Sequence, residues 1–497
     1  MKQIIPTRQA TFIACVILSG ASFSVRAAPP TDVDVTNAIE QQYTRDDLVP
    51  FNRISVLTHN GIVTLRGTVT NLAARNEAER RASIVRGVRS VINEIDVETT
   101  RTPAEITRDA QAELRTDPAT HAYDVTVQTT DDGTVVLTGK VSSWAERKLA
   151  QEVASTAPGV TAVDNRVTID DKTNYGDIGE LAETIRGRLR WDARVNDALI
   201  HVLVLEGNRV MISGTVGSLA EKKLAAELAH VPGVRSVDVS HLDVEPWAKE
   251  ADLRRGEYHP KSDEDIQKAL SQALAYDPRV PSKDVNVDVA GNAAWLNGTV
   301  DNLLAKRAAQ RDAYNTLGIE RVYNYVKVQG HTVTDDALRD LVTNALRGRG
   351  LLEHNDIDVD VNGGRVRLTG DVANSYDYWQ ADVAASRTRG VEELQDDLTI
   401  RGRTPVAARY PYGGHPTTYY RPDHYSALSD REIYQDVRSE LFWTPFVDAD
   451  AINVAVDNGV VTLTGTVGSR RERYLAANDA LEGGALVVHN DLTVASN

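Results

Sequence analysis

The sequence has one cysteine, Cys15, so it can form no internal disulfide and no zinc site built on thiolates. Basic residues are in the minority: 55 Lys and Arg stand against 71 Asp and Glu, a net charge of −16. That balance suits a chain poorly to wrapping nucleic acid, whose phosphates are held by clustered Lys and Arg. Nor does bulk charge steer it to anionic lipid, so any membrane contact has to be local. Beyond the N-terminus no apolar run approaches the ~20 residues of a membrane-spanning helix. There is no G-x-S-x-G elbow, no Walker A loop, no G-x-G-x-x-G and no H-E-x-x-H. No pair of carboxylates stands out as an acid and base. These absences predict a protein that is not an enzyme, with no cofactor, no metal, no small-molecule substrate and no nucleic-acid partner. What is present is ordinary globular composition, 41% apolar and 25% charged over 497 residues, room for several domains.

The N-terminus reads as an export signal. Lys2 and Arg8 form a basic start, residues 10–23 are mostly apolar, and Val25-Arg26-Ala27 fits a small-x-small cleavage site. Residues 1–27 would be removed near Ala27, taking Lys2, Arg8, Arg26 and Cys15 with them and leaving a more acidic chain. An acylated Cys15 is the alternative. The expected compartment is the periplasm.

The rest of the chain is a repeat. Ile62–Val69 (IVTLRGTV), Thr134–Val141 (TVVLTGKV), Arg209–Val216 (RVMISGTV), Ala293–Val300 (AAWLNGTV), Arg365–Val372 (RVRLTGDV) and Val460–Val467 (VVTLTGTV) are versions of one strand. Each carries an anchor glycine (Gly67, Gly139, Gly214, Gly298, Gly370, Gly465) flanked at a period of two by apolar residues, a buried strand face. The glycine predicts a close neighbour, expected to be a helix. Four residues on come Asn71, Ser143, Ser218, Asn302, Asn374 and Ser469, each a good helix N-cap. Ser143/Glu146, Ser218/Glu221 and Ser469/Glu472 have capping-box spacing. The following helices are expected to stop at Gly87, Gly159, Gly233, Gly318, Gly390 and Gly484, each followed by a strand. Upstream of each anchor stand an amphipathic helix and a strand turning through Asn-Gly or Gly-Asn.

The unit is therefore helix–strand–strand–helix–strand. Its V-x-L-x-G-x-V strand and later Gly-Val (Gly87-Val88, Gly159-Val160, Gly233-Val234, Gly390-Val391) resemble the BON domain, a small bacterial αββαβ module. The sixth copy departs, reading Gly483-Gly484-Ala485-Leu486. The expected fold is α+β: six tandem small units, each a three-stranded mixed sheet with two helices on one face, as semi-independent beads on a string. The boundaries are 33–100, 103–170, 176–246, 262–330, 333–402 and 429–496, with 403–428 a Tyr/Pro-rich linker of no regular structure.

Two local patterns resemble sites. Asp358-Val359-Asp360-Val361-Asn362-Gly363 matches half a calcium loop but lacks the closing glutamate at Thr369, and reads as a solvated strand face. Where the first helix ends, three copies carry an aromatic two residues after a leucine: Trp191, Tyr276 and Trp443, the last beside Phe442. The other copies have Arg45, Thr116 and Gly348 there, so the fold does not demand the ring. Trp191, Tyr276, Phe442 and Trp443 are accordingly expected to be exposed lipid- or partner-contact residues, the alternative being rings packed under their own loops. Tyr376, Tyr378 and Trp379 form a second cluster. The resemblance implies an exported, non-enzymatic stress protein of the envelope, making multivalent weak contacts to a phospholipid surface. A scaffold or chaperone-like module that holds other exported proteins along its strand edges is the second reading.

Overall fold

The computed structural model describes residues 30–45, 53–170, 178–249, 262–329, 333–400, 418–420, 428–444 and 446–495. The signal segment 1–27 with Cys15, and most of the linker 403–428, lie outside them.

Six αββαβ units follow one another. In the first, helix Asp32–Arg45 leads to strands Ile54–His59 and Ile62–Val69, helix Leu72–Ser83 and strand Ser90–Val97. The anchor strand is central in every sheet, antiparallel to the first strand and parallel to the third. Along Thr134–Val141 the residues Val135, Leu137 and Val141 are buried under the two helices and their neighbours face outward, as the period of two predicts. Asn60 and Gly61, at φ 52° and 72°, turn the first hairpin with both residues left-handed, as an Asn-Gly pair should. Asp358 and Asp360 sit exposed on a strand, paired with Thr369 and Arg367.

The anchor glycines have the expected close neighbour, but it is a backbone, not a helix. A Cβ on Gly139 would fall inside the carbonyl oxygen of Asp124, and the other five meet the same oxygen at the start of their own first strands. Their φ values run from +115° to +146°, a region that L side chains rarely adopt. The sheet is pinched there. Any side chain would push the first two strands apart.

The six caps accept from first-turn amides as read, yet the three glutamates do not close capping boxes. Glu146 accepts from the Ser142 N–H at 2.7 Å, Glu221 from Gly217 at 2.9 Å and Glu472 from Gly468 at 2.8 Å, each one residue before the cap. The second oxygen of Glu221 and Glu472 takes the Asn196 and Asp448 amides at 2.6 Å, tying the helix to the loop before the first strand. The helices also end before the predicted glycines: Leu72–Ser83 stops short of Gly87, whose φ of +92° serves the following turn.

A recurring asparagine clamps the third strand to the second helix. Asn93, Asn165, Asn324 and Asn490 each donate Nδ2–H to a helix carbonyl (Arg75, Arg147, Lys306, Arg473) at 2.7–3.2 Å. Each also accepts the amide two residues on. In the fifth unit Asp396 stands in that place and accepts from Leu398 at 3.1 Å. A carboxylate has no N–H for the helix carbonyl, so only the protonated acid can imitate asparagine. Burial pushes Asp396 up to about 7, with the Asp382 charge adding to it. The folded state then holds a proton that the unfolded chain, with an aspartate pKa of about 3.9, has already released. Stability of this unit should fall as pH rises from about 4 to 7, by about 1.4 kcal/mol per pH unit at most. Asp396→Asn should raise stability by about 2 kcal/mol at pH 8 and change little at pH 4, read as thermal midpoints at the two pH values. Equal shifts at both would count against a protonated Asp396.

The string folds back on itself, and here the expectation of semi-independent beads needs correction. Units four and five share one apolar core, joined by Arg307–Asp382 at 2.7 Å. Leu219 of unit three enters the core of unit one beside Lys223–Glu79 at 2.7 Å. Glu113 of unit two meets Arg387 at 2.7 Å and Arg349 at 3.1 Å, both from unit five, with all three side chains 3–4% exposed.

Candidate functional site

The four rings singled out in the sequence lie at seams between units. Trp191, the last residue of helix Ile178–Trp191, packs against the shared core of units four and five, and its carbonyl accepts from the Leu317 N–H at 2.9 Å. Tyr276, ending helix Asp263–Tyr276, returns the contact: it packs on the core of unit three with Arg188 4.3 Å above its ring. Trp443 rests on the core of unit one, and Phe442 lies edge-on to it at 5.0 Å beneath Arg86 of unit one at 4.7 Å. All four are half-buried, so their variability among copies reflects which neighbour each helix end meets, not exposure to solvent. Of the second cluster, Tyr378 packs on the shared core while Trp379 stays 51% exposed.

A different place gathers chemistry. The second helices of units two (Trp144–Ala154) and three (Leu219–Ala229) face each other across a cavity of about 400 Å³. Its floor is aromatic: the Trp144 ring stacks on His230 with centroids 4.2 Å apart and planes at 18°. His230 is bonded through Nδ1 to the Ala226 carbonyl at 2.7 Å, and burial holds its pKa below the ordinary value. The walls are basic. Arg147, Lys148, Lys222 and Lys223 line it against one carboxylate, Glu227, in a chain whose net charge is −16. Lys148 is paired with Glu227 and Lys223 with Glu79 of unit one. Arg147 donates to the backbone carbonyls of Val167 and Asn165 at 2.9 and 2.6 Å, which fixes its guanidinium without neutralising it. Arg147 and Lys222 are in no ion pair among the described residues. The arrangement can hold an anion over an apolar floor.

Sequence reasoning passed over these residues. A signal existed: Arg147-Lys148 and Lys222-Lys223 occupy the same two places after the caps Ser143 and Ser218. It gains meaning only when packing sets the two helices face to face. Among the described residues no group of three His, Cys, Asp or Glu side chains gathers where it could hold a metal ion, and no helix is long and apolar enough to cross a membrane.

Osmotically-inducible protein Y of Escherichia coli (strain K12) is 31% identical over 142 residues, 27% of this chain and 70% of that protein. The C-terminal domain of CdsD, the structural protein of the type III secretion system of Chlamydia trachomatis, is 16% identical, covering 44% of this chain and 100% of its own at a TM-score of 0.13. The PrgH periplasmic domain is 12% identical, covering 45% and 99%, at 0.11. Scores so low carry nothing about fold or function. The BON domain profile matches residues 31–99, 102–171, 177–246, 262–330, 334–402 and 429–496, one match on each folded unit, and the chain therefore belongs to the BON domain family.

Proposed function

We propose that this chain is an exported, non-enzymatic protein of the bacterial envelope, acting under osmotic stress and touching phospholipid surfaces through several weak sites. The observation that carries it is the basic, aromatic-floored cavity between units two and three, a local reversal of sign on an acidic molecule. A phosphate headgroup suits its cations and an interfacial lipid region suits Trp144. The likeness to an osmotically inducible protein supports the stress setting, and the leader at residues 1–27 supports the periplasm. Tethered weak contacts add avidity where geometry lets them engage together.

The test is co-sedimentation of the chain beginning at Ala28 with phosphatidylglycerol vesicles and with phosphatidylcholine vesicles. A basic residue near an anionic surface contributes about 1 kcal/mol, so Lys222→Glu should weaken binding to the anionic vesicles about tenfold or more, with binding falling as salt rises. Unchanged sedimentation of the variant would remove the cavity from the reading.

The second reading, a holder of other exported chains, has one observation in its favour. Residues Thr418–Tyr420, from the linker that was expected to have no regular structure, add antiparallel to the last strand, Val487–Val494. An edge that takes a strand from its own chain is the kind that takes one from another.

A further inference from the structure

The outward face of the fourth sheet differs from the rest. Trp295 of the central strand lies opposite Tyr323 of the third, and Asn297 opposite Tyr325. The rings form a row: Trp295 and Tyr323 are stacked with centroids 5.4 Å apart at 18°, and Tyr323 and Tyr325 at 6.5 Å and 8°. Tyr323 and Tyr325 are 39% and 59% exposed. The other copies show what the fold itself needs at these places. The first unit has Thr64 with Ile92 and the ion pair Arg66–Glu94, the fifth has Arg367 with Gln395, and the sixth has Thr462 with His489. The central and third strands pair without a Trp, Tyr or Phe at these places in those three. Three near-parallel rings on one sheet face, two of them exposed to water, are therefore an addition to the unit, and one that solubility opposes.

We propose that this face binds a neutral glycan chain, with sugar rings laid on Trp295, Tyr323 and Tyr325. The C–H faces of pyranose rings are apolar and flat, and suit exposed aromatic rings such as Tyr323 and Tyr325. Their hydroxyl rims need donors and acceptors together, which amides supply. Asn286 and Asn297, opposite one another on adjacent strands, border the rings, with Asp288 opposite Trp295. Single-stranded nucleic acid also stacks on aromatic platforms, but it needs a track of cations for its backbone. Here Arg321 and Lys327 flank the row at either end of its strand, Asp288 lies beside it, and the chain is acidic. A single lipid molecule held on its own would need a groove for its acyl chain, and a sheet face provides none. This inference is independent of the lipid reading, which rests on the cavity between units two and three.

The experiment is calorimetric titration of the full chain from Ala28 with hexa-N-acetylglucosamine, cellohexaose and a single-stranded oligothymidylate. Saturable binding of at least one hexasaccharide is expected. Tyr325→Ala should weaken it about tenfold, the scale of losing one stacked ring, and Trp295→Ala with Tyr325→Ala should abolish it. Tyr325 is exposed enough that its single variant keeps the wild-type thermal midpoint, and it decides the matter if the double variant fails to fold. No heat with either sugar overturns the proposal, as does sugar binding that both variants retain. Oligothymidylate binding lost in Tyr325→Ala, without sugar binding, reassigns the face to nucleic acid.

Discussion

Glu113→Gln is expected to destabilise the contact between units two and five by about 3–5 kcal/mol, although it removes only a charge and keeps the shape. Glu113 receives Arg387 and Arg349 at 2.7 and 3.1 Å, and Asp117 stands 3.8 Å from Arg387. With the carboxylate gone, two guanidinium groups 3% exposed would face each other with Asp117 alone to balance them. Burial already pushes Arg349 down to about 10, with the Arg387 charge adding to it. Burial pushes the Glu113 carboxyl up, but Arg349 and Arg387 outweigh it and hold its pKa below the ordinary glutamate value. A depressed acid contributes fully above its unfolded pKa of about 4.3 and loses that contribution only as pH falls through the lower folded value. The loss in Glu113→Gln should thus be full at pH 7 and shrink in strong acid. Replacing Glu113, Arg349 and Arg387 together by Leu and two Met should recover part of it, since the desolvation of all three goes with their charges while Asp117 stays buried. Scanning calorimetry of the three proteins reads this out, and a single variant that melts like wild type would mean the seam is not held by charge.

Gly139→Val should cost about 4 kcal/mol or more, enough to unfold unit two. The valine Cβ would sit inside the Asp124 carbonyl oxygen at a φ of +136°, so both overpacking and backbone strain oppose it, with no flexible side chain to yield. Unit two also touches unit three through Trp144 and His230, unit four through Arg279–Glu152 and unit five through Glu113. Limited proteolysis should therefore cut unit two first and loosen its neighbours, whereas isolated beads would leave them intact. A Gly139→Val chain with wild-type protease resistance would place the glycine outside the fold's requirements.

Much of the unit was legible because its signals are local. A period of two around Gly139, a cap at Ser143 and Asn60-Gly61 each act within a few residues, and the structure bears out the strand, cap and turn. What one residue type could satisfy in two ways was read less well. Glu146, Glu221 and Glu472 have capping-box spacing but reach one residue further back, and Glu221 and Glu472 also take an amide of the loop before the first strand. The close neighbour that Gly139 announces was expected to be a helix, and only the register Val125↔Gly139 identifies it as the adjoining strand. The seams were illegible. Nothing near Glu113 in the chain foretells Arg349, and Trp191 and Trp443 look like surface residues until another unit is set against them. The aromatic row escaped for the same reason: Trp295 and Tyr323 are 28 positions apart and meet only across a parallel strand pair.

The seams also set an order in time. Gln42 of unit one donates to Glu440 of unit six across 398 positions, and Arg349 reaches Glu113 across 236. A chain made from its N-terminus completes unit one long before Phe442 and Trp443 exist to cover it. Widening a loop to that length adds little entropic penalty, since the cost grows only as its logarithm. Waiting, however, is real: until the last unit arrives, the flank of the first stays bare. Early release or trimming of the C-terminal unit therefore leaves a molecule whose oldest part is the one left sticky.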